Sequence, residues 1–301
     1  MKVLCFGSLN IDYTYRVDHF VGKGETLLSQ ELRTFSGGKG LNQSIALARA
    51  GMETCHAGAI GEDGLFLLQE LREAGVDTSC VDVRKDVRTG HAIIQNSRDG
   101  DNCILLYGGA NQSITTAQAD AVLSRFRAGD VLVLQNEINE LPYIMTEAHH
   151  RGMKIVLNPS PMNEKIFALP LETVDYLLVN EVEAGQILGR EVDKGEDGLA
   201  VAAALHERFP AAAVLLTLGE RGSCYDDGTR TARQCAVRVR AVDTTAAGDT
   251  YTGFFLAGIL GGGSVSEAME LAARASAIAV TRRGAAPSIP TRAEVLAWEG
   301  K

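Results

Sequence analysis

Residues 242–255 read VDTTAAGDTYTGFF. Two threonines, two alanines, a glycine and an aspartate stand directly before an aromatic run with helical spacing. Such small residues make a poor core, but they let a backbone bend and a helix begin. Successive N–H groups at a helix start form an anion pocket, because the first turn has no internal acceptors and the helix dipole favours negative charge there. Asp249 sits at the edge of that pocket. It reads in two ways: a carboxylate that takes a proton from an attacking hydroxyl while the N–H groups stabilise a transferring phosphoryl group, or an N-cap worth about 1 kcal/mol.

Alternation decides the surrounding fold. KVLCF, TCHAGAIG, DVLVLQNEI, KIVLNPSP, YLLVNEVEA and AVLLTLGERG are apolar runs that turn abruptly polar. Helical patterns such as GLNQSIALARAGM, DGLFLLQELREAG and YIMTEAHHRG lie between them. That rhythm predicts a mostly parallel sheet with helices on both faces. The polar residues after the strands are Asn10, Asp12, Glu137, Asn158, Asn180, Glu183, Thr217 and Gly219. Ligands bind at the carboxyl ends of strands in such sheets. One polar cluster there is an ordinary turn, whereas five in the same relative position point to a site.

Two stretches break the rhythm, residues 13–36 and 90–108. Both read as strands with turns, and RDGDN (98–102) is a hairpin signal. They are expected to form a small antiparallel sheet projecting from a single domain that spans residues 1–301.

The bulk composition limits the function. The chain has 301 residues, 46% hydrophobic and 22% charged, with a net charge of −9; this is enough for a large buried core. No Lys/Arg cluster stands out, so neither nucleic acid nor an anionic membrane is expected as a partner. Six scattered cysteines form no C-x-x-C pair or metal-ligand spacing. MKVLCFGSLNID turns polar too soon for a signal peptide, and no run approaches a membrane span. A reduced, cytoplasmic protein is expected.

SGGKGLNQ (36–43) is the second glycine-rich turn. Gly38 and Gly40 permit close backbone approach, and Lys39 and Asn42 can bind hydroxyls or a phosphate. It is not the P-loop pattern. SLNID (8–12) reads as the end of the first strand, with Asn10 and Asp12 on one face and able to grip neighbouring hydroxyls; an Asx turn is the alternative. In VNEVEA, Glu183 suits a Mg²⁺ ion beside a triphosphate or a helix cap. The six histidines form no triad.

Taken in order, SLNID, SGGKGLNQ, LNPSP, VNEVEA, TLGERG and DTTAAGDTY resemble the ribokinase (PfkB) family of carbohydrate kinases. AIAVTRRGAAPSIP (277–290) extends the likeness, which runs from Met1 to about Arg292. The resemblance implies a ribokinase-like three-layer α/β/α fold with a mostly parallel central sheet. A small β-sheet lid, made from the two insertions, would close over the sugar. It implies an ATP-dependent sugar kinase acting on a primary hydroxyl, in the first instance C5 of D-ribose, and a homodimer formed through the lids. By the same resemblance Asp249 is the catalytic base, with Ala246, Ala247 and Gly248 in the anion hole. Asn10, Asp12, Gly38, Lys39, Asn42 and Glu137 match the sugar-contacting set. Asn180 and Glu183 match the phosphate and Mg²⁺ motif, and Thr217, Gly219 and Gly222 line the nucleotide side. Asp243, Thr245, Ala279, Gly284 and Ser288 match loops that hold an activating K⁺ ion. Leu41 stands where the family commonly has alanine, and the lid aromatics Tyr13, Tyr15 and Tyr107 are numerous for a pentose pocket.

The alternatives within the family are a fructokinase, another pentose or hexose kinase, or a nucleoside kinase. A non-catalytic sugar-binding regulator is the alternative of another class; a pure binder has no need of a base at position 249. A dinucleotide enzyme is excluded, because no G-x-G-x-x-G follows the first strand.

Overall fold

Strands and helices alternate through the computed structural model, which describes residues 1–99 and 101–300. The chain runs through β1 (Val3–Phe6), β2 (Asn10–Arg16), β3 (Glu31–Gly37), α1 (Lys39–Arg49), β4 (Thr54–Gly61), α2 (Leu65–Glu73) and β5 (Asp77–Arg84). It continues with β6 (Gly90–Asn96), β7 (Asn102–Tyr107), α3 (Thr116–Leu123), β8 (Val131–Gln135), α4 (Leu141–His150), β9 (Lys154–Asn158) and β10 (Tyr176–Asn180). The last part holds α5 (Glu181–Leu188), α6 (Gly198–Arg208), β11 (Ala213–Thr217), β12 (Ser223–Asp226), β13 (Thr231–Gln234), α7 (Ala247–Leu260), α8 (Val265–Val280) and α9 (Arg292–Ala297).

The nine-stranded central sheet has the order β13-β12-β11-β10-β9-β8-β1-β4-β5. Every pair from β11 to β5 is parallel, and β12 and β13 add an antiparallel edge. Alternate residues of each buried strand face opposite layers. Leu4, Phe6, Leu132, Leu134 and Leu157 pack with Ile144, Ala184 and Val201 of the helices on one side. Val3, Cys5, Val131, Val133 and Val156 pack with Leu41, Leu67, Phe254 and Met269 on the other. Each large apolar side chain so buried contributes about 1.5–3 kcal/mol. This alternation makes three layers.

From β1 the sheet grows one way through β4 and β5 and the other way through β8 to β11. That reversal is a topological switch point, and it opens a crevice at the carboxyl ends of β1 and β8.

A separate four-stranded sheet has the order β3-β2-β6-β7. The expectation of an antiparallel sheet needs correcting. β2 pairs antiparallel with β3, and β6 with β7, but the central pair β2–β6 is parallel. The cause is topological: β2 and β6 leave the same rim of the central sheet, after the parallel strands β1 and β5. SLNID does not end β1 either; Asn10 and Asp12 lie on β2, in the small sheet. The sheet is also slightly longer than residues 13–36 suggested, since β2 starts at Asn10. Gly100, within the expected RDGDN turn, lies outside the described residues; on either side of it Asn96 faces Asn102 across the β6–β7 pair. The His91 ring packs between Tyr13, at 5.8 Å between centroids, and Tyr107, at 4.9 Å, and so joins three of the four strands.

Candidate active site

Strand ends and helix starts meet in a cleft of about 240 Å³ at the carboxyl side of the central sheet. Lys39, Asn158, Asn180, Glu183, Thr217 and Asp249 line it, together with the turn that contains Ala246, Ala247 and Gly248. A second hollow beside Ile166 and Phe167 holds only about 10 Å³ and has an apolar lining, which is too small for a ligand.

The turn before α7 is built for close approach. Ala246 has φ 58°, in the left-handed region, which costs an alanine roughly 1–2 kcal/mol. Its carbonyl accepts from Thr250 N–H at 2.8 Å, and the Ala247 N–H donates to Thr244 O at 3.2 Å. The N–H groups of Gly248 and Asp249 are in the first turn, where no helical carbonyl reaches them. They add to the positive end of the α7 dipole.

Asp249 is buried and gripped from two sides by α1. Asn42 donates through Nδ2 to its Oδ2 at 3.0 Å, and Gln43 through Nε2 to its Oδ1 at 2.9 Å. These contacts fix the Asn42 amide, because a flipped amide would set its oxygen against a carboxylate. Asn42 Oδ1 is then buried with no hydrogen-bond partner among the described residues, an acceptor aimed at nothing within the protein. Gln43 Nε2 also donates to Asn158 Oδ1 at 3.1 Å, and Gln43 Oε1 accepts from Gln135 Nε2 at 2.7 Å.

α1 reaches the site through its glycines. Gly38, its N-cap, has φ 95°. A side chain at Gly40 would come within 2.5 Å of Gly7 C and 2.7 Å of Gly7 Cα, so only glycine lets α1 start against the β1 terminus.

The crevice beside Asp249 is acidic. Glu137 accepts from Ser8 Oγ and, at 3.0 Å, from Lys39 N–H; burial pushes its carboxyl up. Burial opposes charge on Lys39, but Asp249, Glu137 and Glu183 outweigh it and hold the ammonium above its ordinary value. Burial first and Glu137 second push the Asp12 carboxyl from 3.8 up to about 6.

The sign of that shift gives a stability test. Below pH ~3 the Asp12 proton is bound in both folded and unfolded chains, and no penalty arises. As the pH rises through 6 the folded chain must ionise a buried group that the unfolded chain has already ionised, so stability is lost. Asp12→Asn is therefore expected to exceed the wild type by up to about 3 kcal/mol at pH 8 and to match it at pH ~3. Urea denaturation of both proteins at both pH values measures this; a gap independent of pH would mean that Asp12 ionises freely.

Asn10 is set differently. Asn111 Nδ2 donates to Asn10 Oδ1 at 2.7 Å, while Asn111 also holds the Leu9 N–H and carbonyl. The Asn10 oxygen is therefore engaged and its amide N–H groups remain as donors.

Asn180 caps α5, and Glu183 completes a capping box: Glu183 N–H donates to Asn180 Oδ1 at 2.8 Å, and Asn180 N–H donates to Glu183 Oε2 at 3.0 Å. The capping reading of Glu183 thus holds, yet the residue also lines the cleft, and its Oε1 takes no part in the box. Gly219 and Gly222, at the turn after β11, are not in the cleft lining. Asp243 joins two loops. Its Oδ1 accepts from Thr245 N–H at 2.9 Å and Thr245 Oγ1 at 2.6 Å, and its Oδ2 from Gly284 N–H at 2.9 Å. Partial burial works against that carboxylate, but these bonds hold it below its ordinary value. Ser288 is buried and donates to Ala285 O at 2.7 Å; the Ala279 carbonyl accepts from Arg282 N–H at 3.0 Å.

The structure therefore brings Lys39, Asn42, Glu137, Asn180, Glu183, Thr217 and Asp249 to one crevice. It places Asp243, Thr245 and Gly284 together behind the α7 turn. Sequence reasoning passed over Ser8, Gln43, Asn111 and Gln135. Gln43 follows Asn42 in the glycine-rich motif, and Gln135 is the one polar residue of VLVLQ; both were visible signals. Asn111 carries none.

A family model described as pfkB family carbohydrate kinase matches residues 1–292. The chain is 33% identical to the ribokinase of Haemophilus influenzae over 297 residues, 96% of this chain and 95% of that one. It is 34% identical to the ribokinase of Staphylococcus aureus, covering 98% of each. Among solved structures, ribokinase from Cryptococcus neoformans var. grubii serotype A in complex with ADP superposes with a TM-score of 0.88, at 34% identity and 98% coverage of each chain. Arabidopsis thaliana ribokinase complexed with ribose and ATP superposes with a TM-score of 0.86, at 28% identity over 98% of this chain and 97% of that one.

Proposed function

The chain belongs to the pfkB family of carbohydrate kinases, and from that premise we propose that it transfers the γ-phosphoryl group of ATP to the C5 hydroxyl of D-ribose. The observation that carries this reading is the first turn of α7. A carboxylate held by two amides, and N–H groups without a helical acceptor, share one end of the cleft.

In this mechanism Asp249 takes the hydroxyl proton as the new O–P bond forms and the bond from the γ-phosphorus to the β,γ-bridging oxygen breaks, so that ADP leaves. The Ala246–Gly248 turn, with the Gly248 and Asp249 N–H groups, stabilises the charge that spreads over the transferring group. Lys39, held protonated by its acidic neighbours, attracts the phosphates. Asn10, Asp12, Gly38, Lys39, Asn42 and Glu137 hold the sugar, Asn10 donating through its amide. Asn180, Thr217, Gly219 and Gly222 receive the nucleotide.

Among the described residues no group of three or more His, Cys, Asp or Glu could hold a metal. A Mg²⁺ ion held by Glu183 Oε1, by water and by phosphate oxygens suits that donor set; it would neutralise charge on the triphosphate. The loops tied by Asp243, Thr245 and Gly284, with Ala279 and Ser288 beside them, would hold K⁺ and keep the anion pocket ordered. The small sheet would serve as the lid of a single domain, excluding water that competes with the sugar hydroxyl. The exposed apolar row Ile104, Leu105, Leu106 and Tyr107 on β7 supports pairing of two lids in a dimer, which sedimentation would register as twice 32.1 kDa. Free thiols at all six cysteines support a cytoplasmic place.

A coupled ADP-release assay tests this reading. D-Ribose with Mg²⁺·ATP is expected to turn over faster, by kcat/KM, than fructose, deoxyribose or inosine. Rates should rise with K⁺ and much less with Na⁺ or a bulky organic cation at fixed ionic strength. Absence of turnover with any sugar would leave a binding regulator; equal rates in all three cations would leave Asp243 a structural carboxylate.

A further inference from the structure

The mechanism above uses Asp249 but gives no role to the buried amides behind it. Gln43 is fully buried and Gln135 nearly so. Their hydrogen bonds form a directed chain. Gln135 donates to Gln43 Oε1 at 2.7 Å; Gln43 donates to Asp249 Oδ1 at 2.9 Å and to Asn158 Oδ1 at 3.1 Å; Asn158 donates to Leu178 O at 2.9 Å. The direction is fixed. Turning the Gln43 amide over would set Oε1 against a carboxylate oxygen and an amide oxygen at once. Turning Asn158 over would set its oxygen against the Leu178 carbonyl. Apolar side chains would fill this space without any desolvation cost, and Gln135 Oε1 is left buried without a partner. Maintaining such a chain is therefore unfavourable for packing alone.

We propose that Gln43, backed by Gln135, is a positioning residue that keeps the Asp249 carboxylate aimed at the substrate hydroxyl. This rests on the reading of Asp249 as the base. Asn42 and Gln43 are consecutive residues of α1, so their side chains diverge and take the two carboxylate oxygens separately. Rotation of the carboxylate about its χ2 bond is thereby stopped. Each amide occupies one carboxylate oxygen, and Asp249 lines the cleft. With the Gln43 donor removed, the carboxylate is free to turn away from the substrate hydroxyl.

The test compares Gln43→Met, Gln43→Glu, Gln135→Met and Asp249→Asn in the full chain, by kcat, KM, the pH profile of kcat and thermal melting. Gln43→Met is expected to lower kcat by ~10–100-fold with both KM values within about threefold. Gln43→Glu should be poor at pH 8, where two carboxylates face each other, and recover as the pH falls and the new carboxyl gains a proton to donate. Gln135→Met, which leaves the donor in place but unbacked, should show a smaller loss, again in kcat and not in KM, and it decides the matter if Gln43→Met does not fold. Losses that fall on KM and not on kcat, or equal losses in Gln43→Met and Gln43→Glu at every pH, would overturn the proposal. If Asp249→Asn keeps its activity, the base reading fails as well; if Asp249→Asn is inactive and the glutamine variants are normal, only the positioning role fails.

Discussion

The Asp249→Asn variant is expected to lose at least ~100-fold in kcat while its affinities for sugar and nucleotide stay within about threefold. Asparagine keeps the shape of the side chain and removes the proton acceptor. It also places an amide where Asn42 and Gln43 both donate. One of those contacts then opposes two N–H groups, and a modest stability loss of about 1–3 kcal/mol follows. The two effects separate cleanly. Single-turnover kinetics reads the first, titration calorimetry shows that binding survives, and a melting curve reads the second. Near-normal kcat would reduce Asp249 to a helix cap.

Gly253→Ala tests the same site from a position that touches no substrate. Gly253 lies one turn after Asp249 in α7, and it faces Ala46, one turn after Asn42 in α1. An added Cβ would collide with the Ala46 methyl and come within 2.8 Å of Ala46 C and Leu47 N. Backbone atoms cannot rotate away, so α7 must move off α1. Overpacking of this kind costs about 1–3 kcal/mol, or several degrees in Tm for a chain of this size. The larger effect is on rate. Separating the helices lengthens the amide contacts to Asp249, and kcat is expected to fall by ~10-fold or more. Ala46→Gly in the same chain removes the nearest of the colliding atoms and should restore part of both losses. Gly195→Ala, with no atom within 4 Å of the added carbon, serves as the control. Unchanged melting and kcat in Gly253→Ala would show that the helix contact tolerates expansion.

The parallel sheet was legible because runs such as VLVLQ and YLLVN are apolar for a strand's length and then turn polar. Asp249 and Asn42 were legible because each stands in a glycine-rich helix start. The parallel pairing of β2 with β6 was not, since nothing local in either strand says which way its partner runs. The amide chain was hidden for a related reason: Gln43 lies 92 residues from Gln135 and 206 from Asp249. Hydrophobic period reports burial, and it is silent on which buried amide meets which. Glu183 shows a third limit. The same three-residue spacing from Asn180 serves the capping box and brings the carboxylate to the cleft, so the pattern alone could not choose between them.

The seam between β2 and β6 also has a consequence for the order in which the chain assembles. It joins residues 10–16 to residues 90–96, and a ribosome makes the first of these long before the second. Until β6 emerges, β2 and β3 can form only a two-stranded ribbon, which is marginal in water. The entropy of closing so long a loop must be met before the seam contributes anything. β4 and β5 shorten that loop when they dock beside β1, because they bring residue 90 to the rim where residue 10 already waits. The small sheet is thus a late product of folding, assembled on a central sheet that must partly exist first.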